Sequence, residues 1–392
     1  MRMKLTYTHT KYVAYFGLFT QAIVLNLLPL LFVSLQKEFS LGLDQISFLI
    51  SMNFVIQIVT DLVSAQYLDR VGYRRILQTA LGVVVVGMSG ISLLPFLIEP
   101  FVGLCICYGI SAVGAGLLEV TVSPVVEALP GKEKVSAMGV LHSFYCWGHV
   151  SVVLGTTAYF LLFGGENWRL LPALWMVIPF LNLVLCSFVP MRQLGEDQPS
   201  VKMGQLFRSK LFWVFLLLML CAGASEQAMS QWASYFAEQG LKISKTLGDL
   251  LGPCVFAVLM GISRALFGGR GDSIDVRKWL FLAGLLCVGS YLLAVFAPHP
   301  VLSLAGCGLA GFGVGILWPG TLSLASRKLP TGGSMIFALL ALAGDMGCAA
   351  GPALNGLVTQ NTGSMHKGLL AASIFPLLLV TGLWLLKKDK KV

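Results

Sequence analysis

Apolar runs of about 20 residues, the length of helix that crosses a lipid bilayer, recur along this 392-residue chain. Charged residues make up only 11% of the sequence, whereas a soluble domain carries about 25%. Because lipid offers the backbone no hydrogen-bond partners, such runs must be helices. We therefore predict an all-α membrane protein with twelve spans near 12–34, 45–67, 76–97, 100–127, 136–163, 169–190, 211–236, 247–268, 279–297, 301–325, 334–359 and 367–386.

Lysine and arginine residues divide unequally between the two sides of these spans. An even number of spans places both termini on one side, and that side holds 22 of the 27 basic residues. Cytoplasmic loops are enriched in lysine and arginine, so we predict a multi-pass protein of the cell membrane with both termini in the cytoplasm. The same bias accounts for the net charge of +9. We expect the bilayer, and no nucleic acid, as a partner.

Several kinds of site are not indicated by the sequence. All nine cysteines lie inside the apolar runs and no CxxC occurs, so we interpret them as packing residues and expect no metal site. The sequence has no Walker-type phosphate loop and no HExxH motif. We expect no cofactor, no direct use of ATP and no enzymatic activity.

The chain divides into two similar halves. The longest polar stretch, roughly 191–210, separates six spans from six. The segment SPVVEALP, Ser123 to Pro130, has a counterpart in SLASRKLP, Ser323 to Pro330. A parallel repeat of six helices is typical of transporters that bind their substrate near the membrane midplane. We predict an N-terminal six-helix bundle at 1–190, a cytoplasmic linker at 191–210 and a C-terminal six-helix bundle at 211–392.

The loop after the second span reads Asp69-Arg70-Val71-Gly72-Tyr73-Arg74-Arg75 and resembles the loop motif of the major facilitator superfamily. The resemblance implies the fold of that superfamily, with two parallel six-helix bundles, and transport by alternating access. We expect a monomer. The resemblance also implies a cytoplasmic gate, to which we add Glu127 at the inner end of span four. The predicted gating residues are Asp69, Arg70, Gly72, Arg74, Arg75 and Glu127.

Segments of three spans resemble the fucose–galactose–glucose:proton symporter branch of that superfamily. They are Leu118-Glu119 with Ser123-Pro124 in span four, Leu141-His142-Ser143-Phe144 in span five, and Glu226 through Gln231-Trp232 to Tyr235 in span seven. This resemblance implies proton-coupled sugar transport. The sequence departs from the branch in span one, where those symporters carry an acidic residue and this chain offers only Gln21 and Asn26.

Charged side chains inside the predicted spans are few. A charge at the bilayer centre is costly and usually faces a cavity or a partner. Glu119 and His142 lie at similar depths in their helices, so we predict a proton-coupling pair; the alternative is a structural hydrogen-bonded pair. Arg264 lies near a cytoplasmic helix end, where we expect it to snorkel or to join a gate. The acids within the spans are Asp61, Glu119, Glu226 and Asp345.

Two spans carry stripes of polar side chains at helical spacing. Asn53, Gln57 and Asp61 recur at every fourth residue in span two, and Gln227, Gln231 and Tyr235 do so in span seven. Such stripes indicate an aqueous cavity, and hydrogen bonding between helices is the alternative. Aromatic rings suit the apolar face of a sugar, although Trp147 and Phe144 alternatively contact lipid or pack against span eight. The predicted substrate-binding residues are Gln21, Asn26, Asn53, Gln57, Tyr145, Trp147, Glu226, Gln227, Gln231, Trp232, Tyr235, Trp318 and Asp345.

Taken together, these features predict a secondary active transporter of a small polar solute. A sugar or polyol is the solute that fits best, and protons are the expected coupling ion. An exporter of drugs or other amphiphiles is the alternative, because the many Phe and Met residues, with Glu226 facing a cavity, suit a lipophilic cation. Changed drug resistance on expression indicates the exporter, and solute uptake indicates the sugar transporter.

Overall fold

A computed structural model describes residues 5–130, 134–192, 207–270, 275–329 and 333–386. Side chains at 65–70, 127, 134–139, 268–270, 326 and 333–338 are not described, and most of the predicted linker lies outside the described residues. Throughout the described ranges the regular structure is helical, without a β-strand. The predicted all-α fold is therefore confirmed. The chain divides into two compact units, Met1–Glu196, here called unit 1, and Asp197–Val392, here called unit 2.

Unit 1 contains six long helices. The last of them starts with a 3₁₀ turn at Gly165–Leu170 and continues through Leu171–Trp175 and Val177–Phe188. Gly72, with a φ of 89°, connects the second helix to the third in a backbone conformation that glycine adopts without strain. The helices are α1 (Tyr7–Phe39), α2 (Leu43–Val71), α3 (Tyr73–Ile91), α4 (Pro100–Ala128), α5 (Lys134–Phe163) and α6 (Gly165–Phe188).

Unit 2 also contains six long helices, two of which are interrupted by π-helical turns. These turns lie at Phe236–Gly240 in α7 and at Leu250–Cys254 in α8. Short breaks also follow Val314 in α10 and Ala372 in α12. The helices are α7 (Lys210–Gly240), α8 (Lys245–Asp249 through Val255–Arg270), α9 (Val276–Phe296), α10 (Pro300–Val314 and Leu317–Lys328), α11 (Gly333–Thr362) and α12 (Met365–Ala372 and Ile374–Leu385).

The length and surface of these helices suit a bilayer. Within the described residues, eleven helices are long and apolar enough to cross a membrane. The remaining one, α11, coincides with the predicted span at 334–359. Large apolar side chains such as Leu162, Phe188 and Trp384 are mostly exposed, while amides such as Asn53 are buried. Lipid favours this distribution because it solvates apolar side chains and provides no hydrogen bonds.

Glycines allow close helix packing in both units. In unit 1, a Cβ added to Gly148 on α5 would lie 2.8 Å from the carbonyl oxygen of Phe19 on α1. In unit 2, a Cβ added to Gly347 on α11 would overlap the carbonyl oxygen of Leu220 on α7. The α1–α5 and α7–α11 pairs are thus packed backbone to backbone. Small residues at helix contacts are what membrane helices use to approach this closely.

An arginine at the start of the third helix of each unit caps the last helix of that unit. In unit 1, Arg74 donates hydrogen bonds to the carbonyl oxygens of Cys186 at 2.9 Å and Ser187 at 2.8 Å, where α6 ends. In unit 2, Arg277 donates to the carbonyl oxygen of Leu383 at 3.0 Å, near the end of α12. A cation at these positions satisfies the last carbonyl groups of a helix. The two units therefore share this capping contact between the third and the last helix, in agreement with the repeat seen in the sequence.

Candidate functional site

In unit 1, the carboxylate of Glu119 is held by an amide from another helix. Gly17 brings α1 close to α4, since a Cβ there would lie 2.7 Å from Val122 Cγ1. Gln21 follows one helical turn later, and its Nε2 donates a hydrogen bond to Glu119 Oε2 at 2.6 Å. Gln21 is buried. A polar side chain in span one therefore contacts the predicted coupling acid, although that span lacks an acid of its own.

The pairing of Glu119 with His142 stays a prediction. His142 is exposed on α5. Glu119 accepts a hydrogen bond from Gln21, a residue predicted to bind the substrate alone. The close crossing of α1 and α4 at Gly17 is the signal that identifies this contact.

Buried amides form a second polar group of unit 1. Asn53 and Gln57 lie one turn apart on α2, and Gln57 Nε2 donates to Asn53 Oδ1. The Asn53 side chain is fully buried, and its Nδ2 donor has no hydrogen-bond partner among the described residues. A buried donor without an acceptor is costly unless a ligand or water fills the need. Asn53 is therefore suited to bind a hydroxyl or carbonyl oxygen of a solute.

In unit 2, Glu226 on α7 forms an ion pair with Arg264 on α8. Arg264 Nη2 lies 3.1 Å from Glu226 Oε2, and the accessible fractions of the two side chains are 16% and 9%. Arg264 Nε donates to the carbonyl oxygen of Gly315 on α10 at 3.3 Å. The absence of a side chain at Gly315 lets α8 and α10 approach there, since a Cβ would lie 2.7 Å from Ser263 Cβ. The guanidinium group thus connects three helices of the unit.

This ion pair corrects the expectation for Arg264. A residue near a cytoplasmic helix end was expected to snorkel or to join a gate, but Arg264 turns toward the interior of its unit and pairs with the acid of α7. Opposite charges that meet in a low-dielectric region attract strongly, and each reduces the cost of burying the other. In the sequence, Glu226 and Arg264 lie on consecutive spans, and their separation along the chain does not predict a contact.

Amides extend from the ion pair along α7. Gln227 Nε2 donates to Glu226 Oε1 at 3.4 Å, and Gln231 Nε2 donates to Gln227 Oε1 at 3.0 Å. Both glutamines are buried. The predicted polar stripe on α7 is therefore a hydrogen-bonded row that ends at the carboxylate.

A second buried acid of unit 2 lies nearer the start of α8. Asp249 accepts a hydrogen bond from Ser234 and forms an ion pair with Lys245, with 3.1 Å between Nζ and Oδ2. These three residues are not among the predicted site residues. They connect the two helices where their π-helical turns occur.

The aromatic residues of α5 occupy two different environments. Phe144 stacks on Tyr15 of α1 with 4.9 Å between the ring centroids, so it packs within unit 1. Trp147 is 51% exposed and recurs at seven-residue spacing with Val140, Leu154 and Leu161, all of them exposed. An exposed apolar stripe of this kind favours the lipid-facing alternative for Trp147. Tyr145, the other candidate of α5, is half-buried.

The tryptophans of unit 2 also differ from one another. Trp232 is fully buried, its Nε1 donates to the carbonyl oxygen of Pro352 at 3.1 Å, and its ring meets Tyr235 edge-on. This placement is that of a core side chain, and the assignment of Trp232 to solute binding stays a prediction. Trp318 is half-buried, and its ring lies directly against Gly344. Trp318 remains a candidate for stacking on a solute.

The other predicted residues are placed as follows. Asn26 is buried on α1 and donates to the carbonyl oxygen of Ala22 in its own helix, while Asp345 is buried on α11. Of the gating residues, Arg74 caps α6 and Arg75 is exposed. The assignment of Arg74 to the gate stays a prediction beside this capping contact. The side chains of Asp69, Arg70 and Glu127 lie outside the described residues.

Comparison with known proteins places this arrangement in a family. Residues 14–352 match the family described as Major Facilitator Superfamily, whereas no individual curated protein matches the sequence. The fold is similar to that of the E. coli fucose:proton symporter, with 17% identity over 97% of this chain and 99% of that chain and a TM-score of 0.68.

Two further solved structures extend this likeness. A D-xylose-proton symporter gives a TM-score of 0.81 with 14% identity, covering 96% of this chain and 97% of its own. A bacterial homologue of the human lysosomal transporter Spinster gives 0.78 with 13% identity, covering 96% of each chain. At such identities the likeness concerns the fold alone. The family match, which spans most of the chain, identifies the protein as a member of the Major Facilitator Superfamily, a membrane transporter and not an enzyme.

Proposed function

We propose that this transporter moves a small polyhydroxylated solute, a sugar or polyol, across the cell membrane together with protons. The proposal places both termini in the cytoplasm, in agreement with the excess of basic residues on that side. Alternating access of the two six-helix units would expose the solute first to one side of the membrane and then to the other. The linker at 191–210 would join the units on the cytoplasmic side.

The observation that carries this proposal is the pairing of Gln21 with Glu119. A carboxyl group in the middle of a membrane helix costs about 2.5–3.5 kcal/mol or more to insert when charged. An amide donor at 2.6 Å stabilises the charged form, and the same amide offers an oxygen to a protonated carboxyl after rotation of its side chain. Glu119 is therefore suited to exist in both protonation states, which is what a coupling acid requires.

Buried amides supply the expected chemistry for hydroxyl groups. Asn53 offers an unsatisfied donor in unit 1, and Gln227 and Gln231 form a row in unit 2. Amides donate and accept hydrogen bonds at once, as hydroxyl groups do. Trp318, which is half-buried, offers an aromatic face. The sugar:proton symporters among the similar structures agree with this class of solute.

The exporter of amphiphilic cations is less well supported. That alternative depended on Glu226 as an acid facing a cavity, where it would attract a positively charged drug. Arg264 lies 3.1 Å from this carboxylate and compensates its charge, so the site presents a neutral ion pair to a solute. A lipophilic cation would have to compete with a guanidinium group already in place.

Solute counterflow tests the proposal most directly. Purified protein in proteoliposomes would be loaded with one unlabelled sugar at a time and given the labelled form outside. We expect transient accumulation for at least one sugar or polyol, and faster uptake when the side that holds the labelled sugar is acidic. Counterflow of amphiphilic cations without counterflow of any sugar, polyol or sugar acid would establish the exporter instead.

A further inference from the structure

The ion pair of unit 2 is built to hold a carboxylate. Arg264 Nη2 contacts Glu226 Oε2 at 3.1 Å while its Nε is fixed on the Gly315 carbonyl oxygen at 3.3 Å. The second carboxylate oxygen, Oε1, accepts from Gln227 at 3.4 Å. The guanidinium group and the adjacent amide thus present donors to both oxygens of one carboxylate. A guanidinium group forms charge-assisted hydrogen bonds with carboxylates, and its donors are fixed in one plane, unlike those of an ammonium group.

The charge of this pair restricts what can replace either partner. Removing one partner of a buried ion pair leaves the other charge uncompensated, at a large cost. A neutral solute that displaced Glu226 from Arg264 would separate two opposite charges and supply a replacement for neither. A solute carboxylate in the same place would supply a new negative charge to Arg264, so that only Glu226 would lose its oppositely charged contact. A proton bound by Glu226 then removes that charge as well.

We propose that Arg264 is a binding residue for a carboxylate of the solute, which takes the place of Glu226 while Glu226 binds one proton. The solute is then a polyhydroxylated carboxylate, such as a sugar acid, and each molecule bound brings one proton with it. The proton bonds to a carboxylate oxygen of Glu226 on entry and returns to water when the solute leaves. No net charge is added to the site. This inference rests on the proposed function, and it narrows the solute class.

Neighbouring groups agree with a carboxylate at this position. The amide row of Gln227 and Gln231 continues from the ion pair along α7 and suits the hydroxyl groups of the same solute. Among the described residues, the ionisable groups on the helices packed against the pair include Tyr291 on α9, whose hydroxyl donates to the Ser225 carbonyl oxygen at 2.7 Å, and the buried Asp345 on α11. Next to the pair, α10 contributes the carbonyl oxygen of Gly315. The charged residues Arg327 and Lys328 lie in the last turn of α10.

Proton uptake on binding is the test. Purified protein in weakly buffered detergent would be mixed with gluconate, or with sorbitol as the neutral counterpart, in the presence of a pH-indicator dye. We expect about one proton to be taken up per gluconate bound and none for sorbitol. Because one proton is linked to binding, the gluconate Kd should rise about tenfold per pH unit once Glu226 is deprotonated in the free protein.

Three variants identify the groups responsible. Glu226→Gln mimics the protonated acid, so gluconate should bind without proton uptake and with a Kd that no longer depends on pH. Glu226→Gln with Arg264→Gln replaces the ion pair by two amides and should weaken gluconate binding by about tenfold or more while the protein stays folded. Lys245→Gln with Asp249→Asn, which replaces the ion pair within α8 by two amides, is the matched control and should bind gluconate as the wild type does.

Several results would overturn this inference. They are gluconate binding without proton uptake in the wild type, proton uptake that persists in Glu226→Gln, and gluconate binding by the double amide variant equal to that of the wild type. Counterflow of sorbitol or a neutral sugar with no competition from gluconate would reject the carboxylate site and leave the proposed function intact. Counterflow of neither class would reject the proposed function itself.

Discussion

Gln21 on α1 donates a hydrogen bond to Glu119 on α4 across the contact that Gly17 makes possible. Span one thus contributes an amide, and no acid, to the surroundings of the acid in span four. Asp61 on α2 belongs to the same unit, and one of its carboxylate oxygens lies within 4.8 Å of one of Glu119. Glu226 lies in unit 2 and has a basic partner of its own.

Replacing Glu119 by glutamine should separate exchange from accumulation. Glu119→Gln keeps a hydrogen bond with Gln21, since two amides pair as well as an amide and a carboxyl group. We expect counterflow of the transported solute to continue and its accumulation under an imposed pH gradient to disappear. Glu166→Gln, at an exposed acid, is the control. Accumulation by Glu119→Gln at the wild-type level would remove Glu119 from the coupling site.

Asn53 should contribute to solute affinity, and Trp147 should not. Asn53→Ala removes the unsatisfied donor on α2, so the solute Kd should rise about 2- to 12-fold, because a neutral hydrogen bond contributes about 0.5–1.5 kcal/mol. Trp147→Leu changes one apolar side chain on an exposed stripe and should leave the Kd unchanged. Isothermal titration of both variants tests this. A larger loss of solute affinity in Trp147→Leu than in Asn53→Ala would indicate that Trp147 binds the solute.

The cap on α6 should stabilise unit 1. Arg74→Ala removes donors from the carbonyl oxygens of Cys186 and Ser187, so we expect a loss of about 1–3 kcal/mol, the range for unsatisfied buried acceptors. Thermal unfolding in detergent would show a lower Tm. The neighbouring variant Arg75→Ala, at an exposed position, should unfold at the wild-type temperature. Equal Tm values for the two variants would contradict the capping role.

Helix packing at Gly347 should not tolerate a methyl group. Gly347→Ala would place a Cβ against the Leu220 carbonyl oxygen, so α7 and α11 would have to separate, at a cost of about 1–3 kcal/mol or more. Gly289→Ala on α9, where nothing lies within 4 Å, is the matched control and should be neutral or slightly stabilising. Thermal unfolding and counterflow would be measured for both variants. A Tm of Gly347→Ala equal to or higher than that of Gly289→Ala would argue against the close contact.

The predicted gate should affect the rate of transport more than binding. Asp69 and Arg70 belong to the last turn of α2, which is its cytoplasmic end in the proposed orientation. We expect Asp69→Asn to slow counterflow while the solute Kd stays unchanged, because a gate acts on the exchange between conformations. Asp44→Asn, at the opposite end of the same helix, is the matched control and should transport at the wild-type rate. Loss of solute binding in Asp69→Asn would reject a gating role.

The membrane fold could be predicted from the sequence because it depends on properties that accumulate along the chain. Each span needs about 20 apolar residues, and the backbone in lipid has no alternative to a helix. These requirements do not depend on which helix packs against which. The predicted spans therefore coincide with helices of the structure, and the loop motif with the twelve spans identified the superfamily.

Partners of individual side chains were decided by the tertiary structure. Distance along a helix measures the depth of a residue but not the direction of its side chain. Arg264 was therefore expected to snorkel or to join a gate, whereas its side chain pairs with Glu226. Trp232 and Trp147 have the same side chain, yet one is buried against Pro352 and the other is exposed. The difference arises because glycines such as Gly17, Gly315 and Gly347 determine where helix backbones meet, and only those meeting points determine which polar side chains face each other.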